Sequence, residues 1–536
     1  MSGLMSNASS SRPGSGDPGA VAPLLPLWIA LPVAALAGGV LNLAFPAPSV
    51  WGCSFLAVAL LLVALIGRRT WAALLVGAVY GIVFSVVLVS WTGTYLGPIP
   101  WLALGILEGA LTAVGCIPIA LAYRWLPALV PASILRAFVT AVVVAALWIA
   151  RELLLGTWPY GGFPWARIAL TMSPTAAADA TSWIGISGLG FAMVLIVALA
   201  VEAFRGVLGR RRVLPIAALS GAALLAALLV VAPAFPTATA GTMRIGAVQG
   251  NGPTGYFDHR EPGAVLSAQW DASQPLLDEN VDLIVWPEGG IDGDPFQNAA
   301  LSRTLDRLTS AVGAPLLGNA ATETDGRYFN TSFLWPLDGP ALPARDEAQT
   351  HAKRHPVPFG EYVPDRDFYA AIVPDLIGLI QREYTPGADA PTVDVSGTVV
   401  GLAICFDVIY DEVIQEGIDA GAQVLVFQTN NADFRGTAEN LQQLAIARMR
   451  AVETGRSVVN ISTVGTSQII RPDGTTQASV DADRPGALLD DVELRTGATA
   501  GVVFGPILEQ ILLWGGLLSV VVAGLCQALR RRSSRG

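Results

Sequence analysis

From Gly19 to Gly67 the chain reads GAVAPLLPLWIALPVAALAGGVLNLAFPAPSVWGCSFLAVALLLVALIG, without one charged residue. A membrane span needs about 20 mostly apolar residues. The run therefore holds two, broken at Pro46 and Pro48 into segments near 22–45 and 49–67. The same signal recurs near 71–92, 100–123, 132–154, 185–204 and 213–234, and again near 505–529. This predicts an α-helical polytopic membrane domain of about eight transmembrane helices. Most of the acidic residues lie between the seventh and eighth segments, from about Met243 to Gly497, so that stretch reads as a water-facing domain.

Composition supports the division. Hydrophobic residues make up 53% of the 536 and charged residues 14%, against roughly 25% charged in an ordinary soluble protein. The expected organisation is a disordered cytoplasmic tail over 1–20, a seven-helix membrane domain over 21–236 and a water-facing α/β domain over 243–497. A final transmembrane helix follows over 503–529, with a basic cytoplasmic tail over 530–536. The tail before the first span is rich in Ser, Gly and Pro and lacks a cationic n-region, so the first apolar segment is expected to be retained rather than cleaved. The net charge of −10 argues against nucleic acid, which needs a basic face.

Arginine placement gives the orientation. Arg68–Arg69, Arg124 with Arg136, Arg205 with Arg210–Arg212, and Arg530–Arg532 fall on alternate connections. Basic connections face the cytoplasm. Both termini are then inside, and the 243–497 domain is outside, in a multi-pass protein of the cell membrane. Arg151 and Arg167 are exceptions, expected on the outer side. They flank Trp158-Pro-Tyr-Gly-Gly-Phe-Pro-Trp165, an aromatic turn-rich segment suited to the interface and expected to touch an acyl-chain site. Glu108 and Glu152 interrupt apolar runs, and each either lines a lipid entry route or sits at the interface.

Within the polar domain Arg244–Gln249, Val281–Trp286, Thr398–Ile404, Val424–Thr429 and Ser457–Ser462 read as short strands. Leu441–Glu453 reads as an amphipathic helix. No internal repeat is visible, and the pattern suits a layered α/β domain. Three chemically suggestive residues fall at strand ends or in loops after them: Glu288, Lys353 and Cys405. No other lysine occurs in the chain, although arginine is frequent. Of Cys53, Cys116, Cys405 and Cys526, only Cys405 lies in the polar domain, which excludes a disulfide scaffold there. Each residue alone has a plain reading: a core thiol, a helix-capping acid, a surface lysine. Together they fill three roles of acyl transfer. A carboxylate takes the thiol proton, the thiolate attacks, and a cation stabilises the oxyanion. Three histidines without ligand spacing give no case for zinc, and neither metal nor cofactor is expected.

The motifs Val285-Trp-Pro-Glu288, Lys353 with its following loop, and Gly401-Leu-Ala-Ile-Cys-Phe-Asp407 resemble the nitrilase (carbon–nitrogen hydrolase) superfamily. With several membrane spans added, the chain is similar to its apolipoprotein N-acyltransferase family. Val248-Gln-Gly-Asn251, Phe329-Asn-Thr-Ser332, His355-Pro-Val-Pro-Phe-Gly-Glu361, Thr429-Asn-Asn431 and Ala447-Arg-Met-Arg-Ala-Val-Glu453 extend the match. The resemblance implies an α/β four-layer αββα nitrilase-like domain outside the cytoplasm and a thioester on Cys405. It implies a membrane phospholipid as acyl donor and the α-amino group of a lipoprotein's diacylglyceryl-cysteine as acceptor. It further implies Glu288 as general base, Lys353 at the oxyanion and Glu361 as a second active-site acid, with Phe406 and Asp407 supporting the substrate. Three places depart from the family pattern. Asp407 stands where glutamate is usual, Ala432-Asp-Phe-Arg435 replaces a tryptophan–phenylalanine pair, and Tyr256 or Phe257 takes the place of a tryptophan after Asn251. Two rival readings remain on the residues alone. One is a membrane-anchored amidase acting on a small amide, and the other is a non-catalytic transporter or scaffold.

Overall fold

The computed structural model describes residues 21–130, 132–337 and 347–533; the expected tail over 1–20 lies outside them. Eight apolar helices, α1 (Leu27–Asn42), α2 (Gly52–Leu65), α3 (Thr70–Leu88), a short α4 (Thr92–Leu96), α5 (Pro98–Leu129), α6 (Ser133–Leu155), α7 (Thr181–Leu208) and α8 (Val213–Val231), precede the polar domain. One more, Ala500–Ser533, follows it. Six of the described helices are long and apolar enough to cross a membrane: α3, α5, α6, α7, α8 and the last. The first two expected spans form helices of 16 and 14 residues. At about 1.5 Å per residue these rise ~24 and ~21 Å. Helix α5 starts where sequence chemistry favours a start. Gly97 takes φ +80° and Pro98 occupies the first turn, where its missing N–H costs nothing.

The polar domain carries α9 (Ala264–Ala272), α10 (Ala299–Val312), α11 (Arg366–Ile372), α12 (Pro374–Ile377), α13 (Asp411–Asp419) and α14 (Glu439–Thr454), so the C-terminal helix is α15. Its strands are β1 (Ala238–Gln249), β2 (Leu283–Val285), β3 (Leu316–Thr324), β4 (Arg327–Trp335), β5 (Thr350–Ala352) and β6 (Thr392–Val395). They continue with β7 (Thr398–Ile404), β8 (Val424–Thr429), β9 (Val458–Ser462), β10 (Ser467–Ile470), β11 (Thr476–Val480) and β12 (Gly486–Thr496). They make two six-stranded sheets, ordered β12-β1-β2-β3-β4-β5 and β11-β10-β9-β8-β7-β6.

The sheets repeat one plan. Strands β1, β2 and β3 pair in parallel, and β4 and β5 continue antiparallel. Strands β7, β8 and β9 are likewise parallel, and β10 and β11 continue antiparallel. The last strand of each half, β6 or β12, closes antiparallel against β7 or β1, so β12 returns to the first sheet. The repeat that the residues do not show is therefore present in the pairing.

One core lies between the sheets. Ile245, Leu283 and Leu317 meet Leu402, Val426 and Ile461 there. On the far side of the first sheet Ile284 and Trp286 pack against Leu305 and Leu308 of α10. Beyond the second sheet, Ala403 and Phe427 pack with Leu444 and Ala447 of α14 in a cluster that continues into the membrane helices. Side chains join the two parts across this face. Trp165 Nε1 donates to Gln442 Oε1 at 2.7 Å and Tyr410 Oη to the Gly162 carbonyl at 3.1 Å.

Arg151 falls inside the span expected near 132–154. It lies in the last turns of α6, 8% exposed, with its guanidinium 4.2 Å from the Trp148 ring centroid and 3.5 Å from Glu152. An aromatic face and a carboxylate make a buried guanidinium tolerable there. Arg167 does lie on the connection between α6 and α7, also buried.

Candidate active site

The C-terminal ends of parallel strands converge on one cavity, the usual place for a site in an α/β sheet. Cys405 terminates β7 and turns directly into a short 3₁₀ helix, Cys405–Ile409, with φ +49° at the cysteine itself. A non-glycine residue in that region costs about 1–3 kcal/mol. The turn is held from behind: Arg450 on α14 donates to the Val408 and Ile409 carbonyls at 3.0 and 2.9 Å. Glu288 follows β2, and Lys353 follows β5.

Lys353 is 1% exposed. Its Nζ lies 3.1 Å from Glu288 Oε1 and 2.8 Å from Glu361 Oε2. Asn330 on β4 donates to both acids, at 2.7 Å to Glu288 Oε1 and 3.2 Å to Glu361 Oε1. Asn319 on β3 donates to Asn330 Oδ1 at 2.9 Å, which fixes the direction of the amide. The Val357 N–H donates to Glu361 Oε2 at 2.7 Å. Glu361 is thus tied to the ammonium and is no freely solvated loop charge.

Asp407 is fully buried and accepts the Arg354 and His355 amides at 3.1 and 2.8 Å. It anchors the loop that follows Lys353, one methylene shorter than the family's glutamate but with both amides in reach. Phe406 reaches the cavity and stacks at 6.0 Å on Phe163 of the membrane part.

Burial pushes the Glu288 carboxyl up; Lys353 opposes this and Glu361 adds to it. Burial and the Glu288 charge push the Cys405 thiol well above its ordinary value, against the pull of Lys353. Burial alone would lower Lys353, but Glu288 and Glu361 outweigh it and hold the ammonium charged. The resting thiol is therefore protonated, and a nearby base has to remove its proton as an electrophile arrives.

The cavity has a volume of about 1320 Å³, and Glu288, Lys353, Glu361 and Cys405 all line it. Its opposite wall is membrane protein: Trp91, Tyr95, Ile99, Leu104, Leu107 and Glu108. Tyr160, Phe163 and Trp165 of the aromatic segment line it as well. Of Glu108 and Glu152, the first lines the cavity. Glu152 instead accepts Trp148 Nε1 at 2.7 Å and the Ile168 N–H at 3.2 Å. In the departing loop, Asp433 and Phe434 reach the cavity, Phe434 edge-on to Trp91 at 4.8 Å. Of the two candidates after Asn251, Tyr256 lines it.

Sequence reasoning passes over Asn319, Gln443 and Glu439. Gln443 donates to Cys405 Sγ at 3.5 Å, and Asn431 bridges Gln443 Oε1 (2.9 Å) and Glu439 Oε2 (2.8 Å). The one signal in the sequence is the spacing of Glu439 and Gln443, four apart and so on one helix face.

Residues 37–199 match the apolipoprotein N-acyltransferase N-terminal domain, and 244–500 match the carbon–nitrogen hydrolase domain. An apolipoprotein N-acyltransferase of Mycolicibacterium smegmatis is 31% identical over 94% of this chain and 87% of its own. Proteins of the same name from Geobacter metallireducens (27% identical, covering 94% and 95%) and Pseudomonas aeruginosa (29%, covering 88% and 93%) are also similar.

Proposed function

This chain belongs to the apolipoprotein N-acyltransferase family, and on that premise we propose the following course for the lipoprotein N-acylation it catalyses. The donor is a membrane phospholipid. Cys405 attacks its ester carbonyl while Glu288 takes the thiol proton. Lys353 stabilises the oxyanion, and Glu288 returns the proton to the departing lysophospholipid. The α-amine of a diacylglyceryl-cysteine then attacks the thioester. Glu361 and Asn330 hold Lys353 and Glu288 in place, Asp407 fixes the loop that carries Lys353, and Phe406 flanks the acyl group.

One observation carries this reading: Glu288, Lys353 and Cys405 open into a cavity whose other wall belongs to membrane helices. A single site then reaches both an acyl chain in the bilayer and a peptide outside it. About 1320 Å³ also exceeds the ~300–1,000 Å³ of a site for a compact ligand, which leaves the small-amide reading without support. The remaining parts of the proposal are eight spans counting α1 and α2, domains over 21–236, 243–497 and 503–529, and a four-layer αββα sandwich. The layers rest on the inter-sheet core and on the helices packed over each sheet.

Incubation with phospholipid alone tests the mechanism. Intact-mass measurement is expected to show one acyl chain on the protein, released by neutral hydroxylamine, and none on Cys405→Ala. An active enzyme without an adduct, or an adduct that survives Cys405→Ala, overturns it.

The catalytic domain lies outside, because the arginine clusters fall on the other side. In a variant with Cys53, Cys116 and Cys526 replaced, an impermeant thiol reagent is expected to modify Cys405 in intact cells. Modification only after permeabilisation, with a permeant reagent as positive control, would reverse the topology.

A further inference from the structure

The proton count of the second half-reaction calls for another base. A lipoprotein α-amine arrives largely as an ammonium at neutral pH, since an α-amino group has a pKa of about 7.7–8.0. One proton must leave before nitrogen has a lone pair, and a second must leave as the C–N bond forms and the C–S bond breaks. Glu288 can shuttle the second from nitrogen to the departing Cys405 sulfur. The first needs its own acceptor.

Among the described residues, most carboxylates lining the cavity are occupied. Glu361 holds Lys353 and the Val357 amide. Asp433 accepts the Tyr256 N–H at 2.7 Å, Asp292 the Leu266 N–H at 3.0 Å, and Asp294 those of Phe296 and Glu323 at 2.9 and 3.0 Å. Glu108 stands in the membrane wall. Glu323 is exposed. Glu439 differs from these in its place: it is 2% exposed, lines the cavity on the side of the nucleophile and has no cationic partner among the described residues. Asn431 reaches its Oε2, and no hydrogen bond reaches Oε1 among the described residues. The same Asn431 contacts Gln443, whose amide donates to Cys405 Sγ. A carboxylate without a cation, linked through two amides to the nucleophile, is complementary to an ammonium brought to that nucleophile.

We propose that Glu439 receives the α-ammonium of the acceptor lipoprotein and takes its first proton. The N–H bond breaks and Oε1–H forms. The freed amine attacks the thioester carbonyl, Glu288 moves the second proton from nitrogen to sulfur, and Glu439 later releases its proton to water through the cavity. The sum is one amide, one regenerated thiol and one proton released. Burial pushes the Glu439 carboxyl of the free site up to about 8, the range of the amine itself; an arriving ammonium favours its ionised form, so the two dock as carboxylate and ammonium and the proton passes between them at little cost. The titratable groups facing Glu439 are Glu288 and Cys405; Asn431 and Gln443 beside it are neutral.

The inference rests on the thioester reading, and rapid-quench mass measurements on the full-length enzyme separate the two. The probes are a phosphatidylethanolamine donor and a synthetic diacylglyceryl-cysteinyl peptide. Glu439→Gln should acylate at the wild-type rate and transfer to the peptide about tenfold more slowly near pH 7, because only about a tenth of the amine is then free. The deficit should close by about pH 9. Hydroxylamine, uncharged at neutral pH, should deacylate variant and wild type alike. Glu439→Asp, which keeps a carboxylate, should retain most of the wild-type profile. A deficit independent of pH, equal slowing with hydroxylamine, or no deficit removes Glu439 from this role. So does loss of acylation in Glu439→Gln with Glu439→Asp intact. Failure of the wild type to form an acyl-enzyme overturns the thioester reading itself.

Discussion

Lys353→Arg is expected to lower acyl transfer about 10²–10³-fold, the ~3–4 kcal/mol typical of a lost oxyanion contact, although charge is conserved. The position leaves no latitude. Lys353 is 1% exposed, and its Nζ sits between two carboxylates at 3.1 and 2.8 Å. Its backbone is fixed on both sides, with the N–H donating to Asn330 and the carbonyl accepting from Gly387, each at 2.8 Å. A guanidinium is a broad planar fork and cannot place one donor where the ammonium stood. It would grip Glu288 and Glu361 bidentately and draw Glu288 away from the thiol. The measurement is thioester formation on phospholipid alone, with folding checked by thermal unfolding. A folded variant that keeps more than about a tenth of the wild-type rate, a loss below ~1.4 kcal/mol, excludes the oxyanion role.

That lysine is legible in the amino-acid sequence alone, as are Glu288 and Cys405. Lysine and cysteine are scarce in the polar domain, and each of the three residues stands at or beyond the end of a strand-like run. The amides around them are not legible. Asn330 and Asn319 act together because β3 and β4 pair with Asn319 opposite Ser332 and Asn330 opposite Ala321. That register places both amides on the face toward Glu288, and a shift by one residue would turn them away. Glu439 and Gln443 escape notice for a related reason. Acids and amides on an amphipathic helix usually belong to its wet face, and only the packing of α14 over the strand ends that carry Cys405 and Asn431 makes theirs a buried one. Hydropathy locates the apolar segments but not the details within them. Arg151 falls near the C-terminal end of the span read over 132–154, and the aromatic ring and carboxylate that accommodate it inside α6 are not visible there. The two-fold plan of the sheets is invisible for a plainer reason: the halves share strand pairing, not residues.

Asp411→Asn is expected to cost about 3 kcal/mol of stability by opening the ion cluster that couples catalytic domain to membrane part. Asp411 begins α13, where the helix dipole also favours a negative charge. Arg167 Nη1 reaches its two oxygens at 2.6 and 2.7 Å, and Arg450 Nη1 reaches Oδ1 at 2.6 Å. Arg167 Nη2 also reaches Glu509 of α15 at 3.2 Å and Ser187 of α7 at 2.7 Å. Arg450 reaches Glu453 at 2.7 Å, and the Ile186 N–H donates to Glu453 at 3.1 Å. Removing one partner of a buried pair costs about 3–5 kcal/mol because the other charge is left uncompensated. The low end applies here, since the Asp411 side chain keeps 32% of its exposure and Glu453 and Glu509 remain. Burial pushes the Asp411 carboxyl up, but Arg167 and Arg450 outweigh it and hold the group well below the usual carboxylate range. A carboxyl depressed on folding stabilises above its unfolded pKa of about 3.9, and that contribution is lost as pH falls toward the folded value. The gap between wild type and Asp411→Asn in detergent unfolding should therefore be constant from about pH 5 to 8 and shrink below about pH 4. A gap under about 1 kcal/mol at neutral pH would place the pair with exposed ones and leave the two parts joined mainly by their shared apolar face. Because Arg450 also holds the carbonyls behind Cys405, loosening it should slow thioester formation even in the molecules that stay folded.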